Sequence, residues 1–127
     1  MTTHNLTQLI GQTAVRVTRN EDSLAFSRRE EENIRFELAN GKTYELVPET
    51  ECCENVVIDD VCGDLSWLVG SPILFAEETC NEKQSNYGEE TWTFYRIGTV
   101  HGTVVIRFFG ESNGYYSTSV SLCEVTA

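Results

Sequence analysis

Residues 91–125 read TWTFYRIGTVHGTVVIRFFGESNGYYSTSVSLCEV, and the alternation inside that stretch decides the fold. Tyr95 and Ile97, then Val104, Ile106 and Phe108, then Val120 and Leu122 recur at every second position, the period of a half-buried strand. Strands are predicted over residues 91–100, 103–110 and 115–125, joined as a three-stranded antiparallel meander. His101-Gly102 reads as a two-residue turn, because histidine tolerates positive φ better than most residues. Ser112-Asn113-Gly114 reads as a three-residue turn with its glycine in the left-handed region. This register sets Ile97 against Ile106, Tyr95 against Phe108, Ile106 against Val120 and Val104 against Leu122. One face of the meander is then apolar throughout and belongs to the core.

The same register places Arg96 across from Arg107, Phe94 across from Phe109 and Trp92 near Glu111 on the opposite face, with Ser117 and Ser119 following. Like charges directly opposed across strands repel, so an anion between them is expected. Two guanidiniums among aromatic rings make a receptor for phosphates carried on a flat base, since arginine grips phosphate with two bonds and rings stack on bases. Asn113, Tyr115 and Tyr116 border that face at the second turn. The competing reading has the arginines bridged by local carboxylates such as Glu111, the rings packed under a partner, and Asn113 and Tyr115 serving as turn residues. On either reading the face is too aromatic to stay bare, and a dimer contact is expected there.

Working outward, Ile34, Phe36 and Leu38 alternate with Arg35 and Glu37, and Tyr44 and Leu46 flank Glu45. A three-residue loop, Ala39-Asn40-Gly41, pairs Phe36 with Tyr44 and Ile34 with Leu46. A two-residue loop would throw the apolar sets onto opposite faces, so parity selects the longer loop. Val15 and Val17 suggest an earlier strand, Val56-Val57-Ile58 a short buried one, and residues 72–76 another. Residues 5–11 read as one helical turn or a lead-in strand. Asp64 is positioned to cap a brief helix over residues 65–69, closed by Gly70 and Pro72. Residues 77–90 (EETCNEKQSNYGEE) are polar without periodicity and read as a long loop. The expected architecture is a single mostly β domain over residues 1–127, with one or two short helices and antiparallel hairpins in two layers.

Composition narrows the function. Twenty acidic residues against nine basic ones give a net charge of −11, which repels nucleic acid polymers and anionic membranes. Either carboxylates imitating DNA for a protein partner, or solubility around a local basic pocket, fits that charge. No apolar stretch approaches the length of a membrane span, and no charged-then-apolar leader pattern opens the chain, so a cytoplasmic protein is expected. Cys52, Cys53, Cys62, Cys80 and Cys123 are odd in number and lack zinc spacings, which suggests reduced thiols and no metal or other cofactor. Asp59, Asp60 and Asp64 fit no compact metal loop. Glu49, Glu51 and Glu54 around Cys52-Cys53 would raise their thiol pKa. There is no glycine-rich phosphate loop or nucleophile elbow, and no histidine stands beside a nucleophile in the sequence reading. A binding protein is expected, not an enzyme.

Residues 49–78 (ETECCENVVIDDVCGDLSWLVGSPILFAEE) and 91–120 resemble a family of small bacteriophage proteins, through the CCE run, the CGDL…GSPI core, TWTFY and GESNGYY. The family they resemble includes the Thoeris anti-defence proteins, which act as sponges for a cyclic ADP-ribose signal. The resemblance implies a β-rich, homo-oligomeric binder, a dimer or hexamer, that sequesters a host immune nucleotide without degrading it, in the cytosol of an infected bacterium. It carries over Arg107 first and Asn113 second as ligand contacts; other cyclic oligonucleotides stay open as ligands. The first 48 residues match only through the Asn40-Gly41 hairpin. The expected binding set is therefore Arg107, Arg96, Phe94, Phe109, Asn113 and Tyr115. A sponge working by mass action needs submicromolar affinity, more than about 8 kcal/mol, which calls for an enclosing site at a subunit seam.

Overall fold

The apolar residues of the Asn40-Gly41 hairpin share one face, as their parity requires. In the computed structural model Ile34 stands opposite Leu46 and Phe36 opposite Tyr44, and Gly41 carries φ 88° in the loop between them. The structure describes residues 3–4, 6–22, 32–48, 55–85, 88–112 and 120–125. Among these run β1 (Thr3–His4), β2 (Ala14–Asn20), β3 (Asn33–Leu38), β4 (Thr43–Pro48), β5 (Asn55–Cys62), β6 (Phe75–Ser85), β7 (Gly88–Thr99), β8 (Gly102–Ser112) and β9 (Val120–Glu124). Two single-turn 3-10 helices, Leu6–Leu9 and Leu65–Leu68, complete the set. Asp64 caps the second, accepting a hydrogen bond from the Ser66 amide at 2.9 Å. No described helix is long and apolar enough to cross a membrane.

The protein is mostly β, built from two antiparallel sheets ordered β1-β9-β4-β3-β2 and β5-β8-β7-β6. Ile34, Phe36, Leu46 and Leu122 of the first sheet and Tyr95, Ile97, Ile106 and Phe108 of the second belong to one buried cluster. Leu9, Leu68 and Ile73 join the same cluster from the helices and the loop before β6. The Tyr95 ring meets Phe108 edge-on at 5.9 Å, and its hydroxyl donates to the Val120 carbonyl at 3.1 Å, tying the second sheet to β9.

Three expectations are corrected. The C-terminal meander over 91–125 does not form as drawn: β9 pairs with β4 and β1, and the strand beside β8 is β5. Leu122 is buried either way, because alternation reports which face a residue takes and not which strand it joins. A three-stranded meander does exist, but one strand earlier, as β6-β7-β8. Accordingly residues 77–85 and 88–90, expected in a loop, are strand. They supply most of β6 and the start of β7, paired from Phe75↔Gly98 to Ser85↔Gly88. Residues 77–81 are all exposed, so nothing imposes a burial period on them.

The third correction is the β7–β8 register. Val100 and His101 form the turn, and Gly102 begins β8 opposite Thr99. Turn chemistry misled here because Gly102 is small for another reason. A Cβ on it would lie 2.7 Å from the Trp67 ring, which spans Gly63 and Gly102. The Thr99 hydroxyl donates to the Trp67 carbonyl and holds that helix in place. Gly102→Ala is therefore expected to lower unfolding free energy by roughly 1–3 kcal/mol through overpacking against Trp67, read from urea titration with unchanged slope.

Candidate functional site

The outer face of the second sheet is built by the residues that alternate with its core set. Phe75, Trp92, Phe94, Val105 and Phe109 are all half-buried on it, with Val57 from β5. Trp92 stands opposite Phe109, their ring centroids 5.0 Å apart and tilted by 50°. Phe94 stands opposite Arg107, and Arg96 opposite Val105. The expected direct opposition of Arg96 with Arg107, and of Phe94 with Phe109, is thus replaced by a diagonal arrangement, offset by two residues along the strand. The face assignment survives because the shift of the turn preserved parity. The like-charge contact does not.

Each arginine has its own carboxylate. Arg107 Nε donates to Asp59 Oδ2 at 2.6 Å and its Nη2 lies 2.5 Å from the same oxygen. Arg96 Nη1 donates to Glu77 Oε2 at 3.3 Å, while its guanidinium carbon sits 5.8 Å from the Phe75 ring centre. The partners are Asp59 and Glu77, not Glu111, which pairs across strands with Glu90 and Asn55. Asp59 reaches Arg107 from a bulge between Ile58 and Asp60 that adds a residue to β5. The sequence signal was present in the Asp59-Asp60 pair interrupting the apolar run of that strand. Both ion pairs are open to water, with side-chain exposures of 39% and 40% for Arg107 and Asp59 and 56% and 58% for Arg96 and Glu77. Asn113 and Tyr115, with Tyr116, Ser117 and Ser119, lie outside the described residues, as do Cys52, Cys53, Glu49, Glu51 and Glu54.

Described concavities include two on the first sheet and its margin. One of about 290 Å³ is bordered by Gln8, Gln12, Asn40 and Lys42, and one of about 340 Å³ lies over Arg16, Thr18, Arg35 and Thr43. Neither borders Arg96 or Arg107. Among the described residues no group of three or more His, Cys, Asp or Glu is arranged to hold a metal ion.

One contact departs from the sequence reading of the histidines. Ser71 Oγ lies 2.8 Å from His101 Nε2, so a serine and a histidine do meet. The contact is exposed, and the His101 amide donates to the Thr99 hydroxyl at 3.1 Å. Among the described residues no carboxylate orients the ring, so the geometry of an activated serine is incomplete there, and the contact ties the β7–β8 turn to the segment before β6.

The chain belongs to the family described as a domain of unknown function (DUF7448), whose profile matches residues 7–122. No curated protein and no solved structure matches it.

Beside Arg107, the Cys62 thiol lies 3.1 Å from Asp60 Oδ2, and that hydrogen bond, with the charge of Asp60, pushes its pKa up. A raised pKa leaves less thiolate at pH 8, so alkylation of exposed Cys62 by iodoacetamide should be slower than that of a free thiol. Asp60→Asn should accelerate it. Peptide-level mass spectrometry over time reads both rates, and equal rates in the two proteins would contradict the assigned cause.

Proposed function

We propose that this member of the DUF7448 family is a non-catalytic binding protein that captures a small anionic, ring-bearing ligand on the outer face of its second sheet. The single observation behind this reading is the half-buried stripe of Trp92, Phe94 and Phe109 on the outer face, with Arg107 in register beside Phe94. Aromatic faces of this kind stack on bases for about 1–3 kcal/mol each, and arginine adds a bidentate grip on phosphate. The ion pairs already holding Arg96 and Arg107 do not block that role. Exposed pairs contribute at most about 1 kcal/mol, so a phosphate can displace Asp59 or Glu77 at small cost.

Joined with the resemblance to phage anti-defence sponges, the ligand class is a cyclic ADP-ribose isomer, held unchanged so that a Thoeris effector is not activated. A flat sheet face encloses a ligand on one side only. The affinity needed for a sponge therefore calls for a second subunit over the same stripe, making the working unit a homodimer or larger.

The test is ultrafiltration of purified protein with each cyclic ADP-ribose isomer, assaying the filtrate. One isomer should be retained and, after heat release, show an unaltered mass. Phe109→Ala and Arg107→Ala should each weaken retention at least about tenfold, the loss of one stacking or one charge-assisted contact. Full recovery of every isomer in the filtrate would overturn the proposal.

A further inference from the structure

The outer face of the first sheet carries a different kind of site. Adjacent strands bring Thr18, Arg35 and Glu45 into one row, and Arg16, Glu37 and Thr43 into the next. Glu45 is completely buried, an expensive place for a carboxylate unless it is paired. Its partner is Arg35, whose Nε donates to Glu45 Oε2 at 3.0 Å and whose Nη2 lies 3.0 Å from the same oxygen. Nη2 also reaches the Asp22 carbonyl at 3.3 Å. Arg35 is thus clamped along one edge, its side chain only 17% exposed, and its Nη1 takes part in none of these bonds.

The neighbouring hydroxyl is oriented as well. Asn20 Nδ2 donates to the Thr18 hydroxyl at 2.9 Å and to the Thr18 carbonyl at 3.2 Å. A threonine hydroxyl that accepts from an amide has its single proton left to give, and here that proton belongs to a residue lining the 340 Å³ basin beside Arg35. Arg16 stands two residues from Thr18 on the same face of β2, with its side chain 68% exposed and paired with Glu37 at 3.4 Å. Such an exposed pair exchanges readily for a better acceptor. Arg35, Thr18 and Arg16, with Glu37 among them, line one concavity in a chain whose net charge is −11.

We infer that this basin binds a phosphate group: Arg35 and the Thr18 hydroxyl supply fixed donors, and Arg16 closes over the anion on leaving Glu37. Phosphate suits the site better than a carboxylate does. Three donors set around a concavity match its three-sided array of oxygens, whereas a carboxylate offers two oxygens in one plane. Glu37 opposes the anion and sets the strength of binding. The site is on the sheet that the stacking face does not touch, and it does not depend on the ligand proposed above.

Inorganic pyrophosphate is the probe, titrated into amide-labelled protein up to about 10 mM, a range that reaches millimolar dissociation constants. Amides of Arg16, Thr18, Asn20 and Arg35 should shift together. Arg16→Ala should weaken binding at least about tenfold, and Glu37→Gln should tighten it about threefold or more, the size of one charge-assisted contact and one removed repulsion. Both changes lie on exposed or half-exposed side chains, so the fold survives them. Acetate at the same concentration should leave these amides unmoved. Shifts confined to Phe94 and Arg107, equal response to acetate, or pyrophosphate affinity indifferent to both substitutions would overturn the assignment.

Discussion

The packing of two sheet faces against each other is the constraint on which the rest of the molecule depends. Phe36 and Leu46 on one side and Tyr95, Ile106 and Phe108 on the other belong to the same fully or nearly fully buried cluster. Because side chains alternate along a strand, choosing which residues enter that layer also chooses which are turned out. Arg96, Arg107, Trp92 and Phe109 are on the outer face because Tyr95, Ile97, Ile106 and Phe108 are on the inner one. The aromatic and arginine stripe is in this sense the complement of the core.

That dependence explains what could be read in advance. Face assignments were legible throughout β3, β4, β7 and β8, since the apolar period is two and the hairpin at Asn40-Gly41 admits only one loop length. Partner assignments were not. Leu122 satisfies the core equally from either sheet, and only the pairing Leu46↔Leu122 reveals that the chain crosses between layers before β9. Gly102 carries the same ambiguity in miniature. Its lack of a side chain fits a turn in the sequence, yet it serves the close approach of Trp67, a residue 35 positions earlier that no local pattern connects to it. Residues 77–81 read as loop for the opposite reason: an exposed strand has no buried set to leave a period.

Charge has a related logic. Facing arginines call for an anion, and a chain so rich in carboxylates supplies its own. Arg16, Arg19, Arg35, Arg96 and Arg107 each lie within salt-bridge distance of a Glu or Asp. The bulged Asp59 is the instructive case, because the extra residue in β5 is invisible to a parity count and yet decides what neutralises Arg107.

An arginine already paired can still act, and burial decides how. Arg107 and Asp59 are each about two-fifths exposed, so their pair contributes little and is replaceable. Arg35 rests on a carboxylate with no exposure at all, and removing either partner would strand a buried charge. Its pair does not exchange; it holds the guanidinium still. A donor held still loses little freedom when an anion arrives, whereas a mobile one must be ordered at the moment of binding. The two sheets therefore offer opposite solutions on one scaffold: a broad aromatic face with exchangeable cations, and a small polar basin whose central cation the fold itself has oriented.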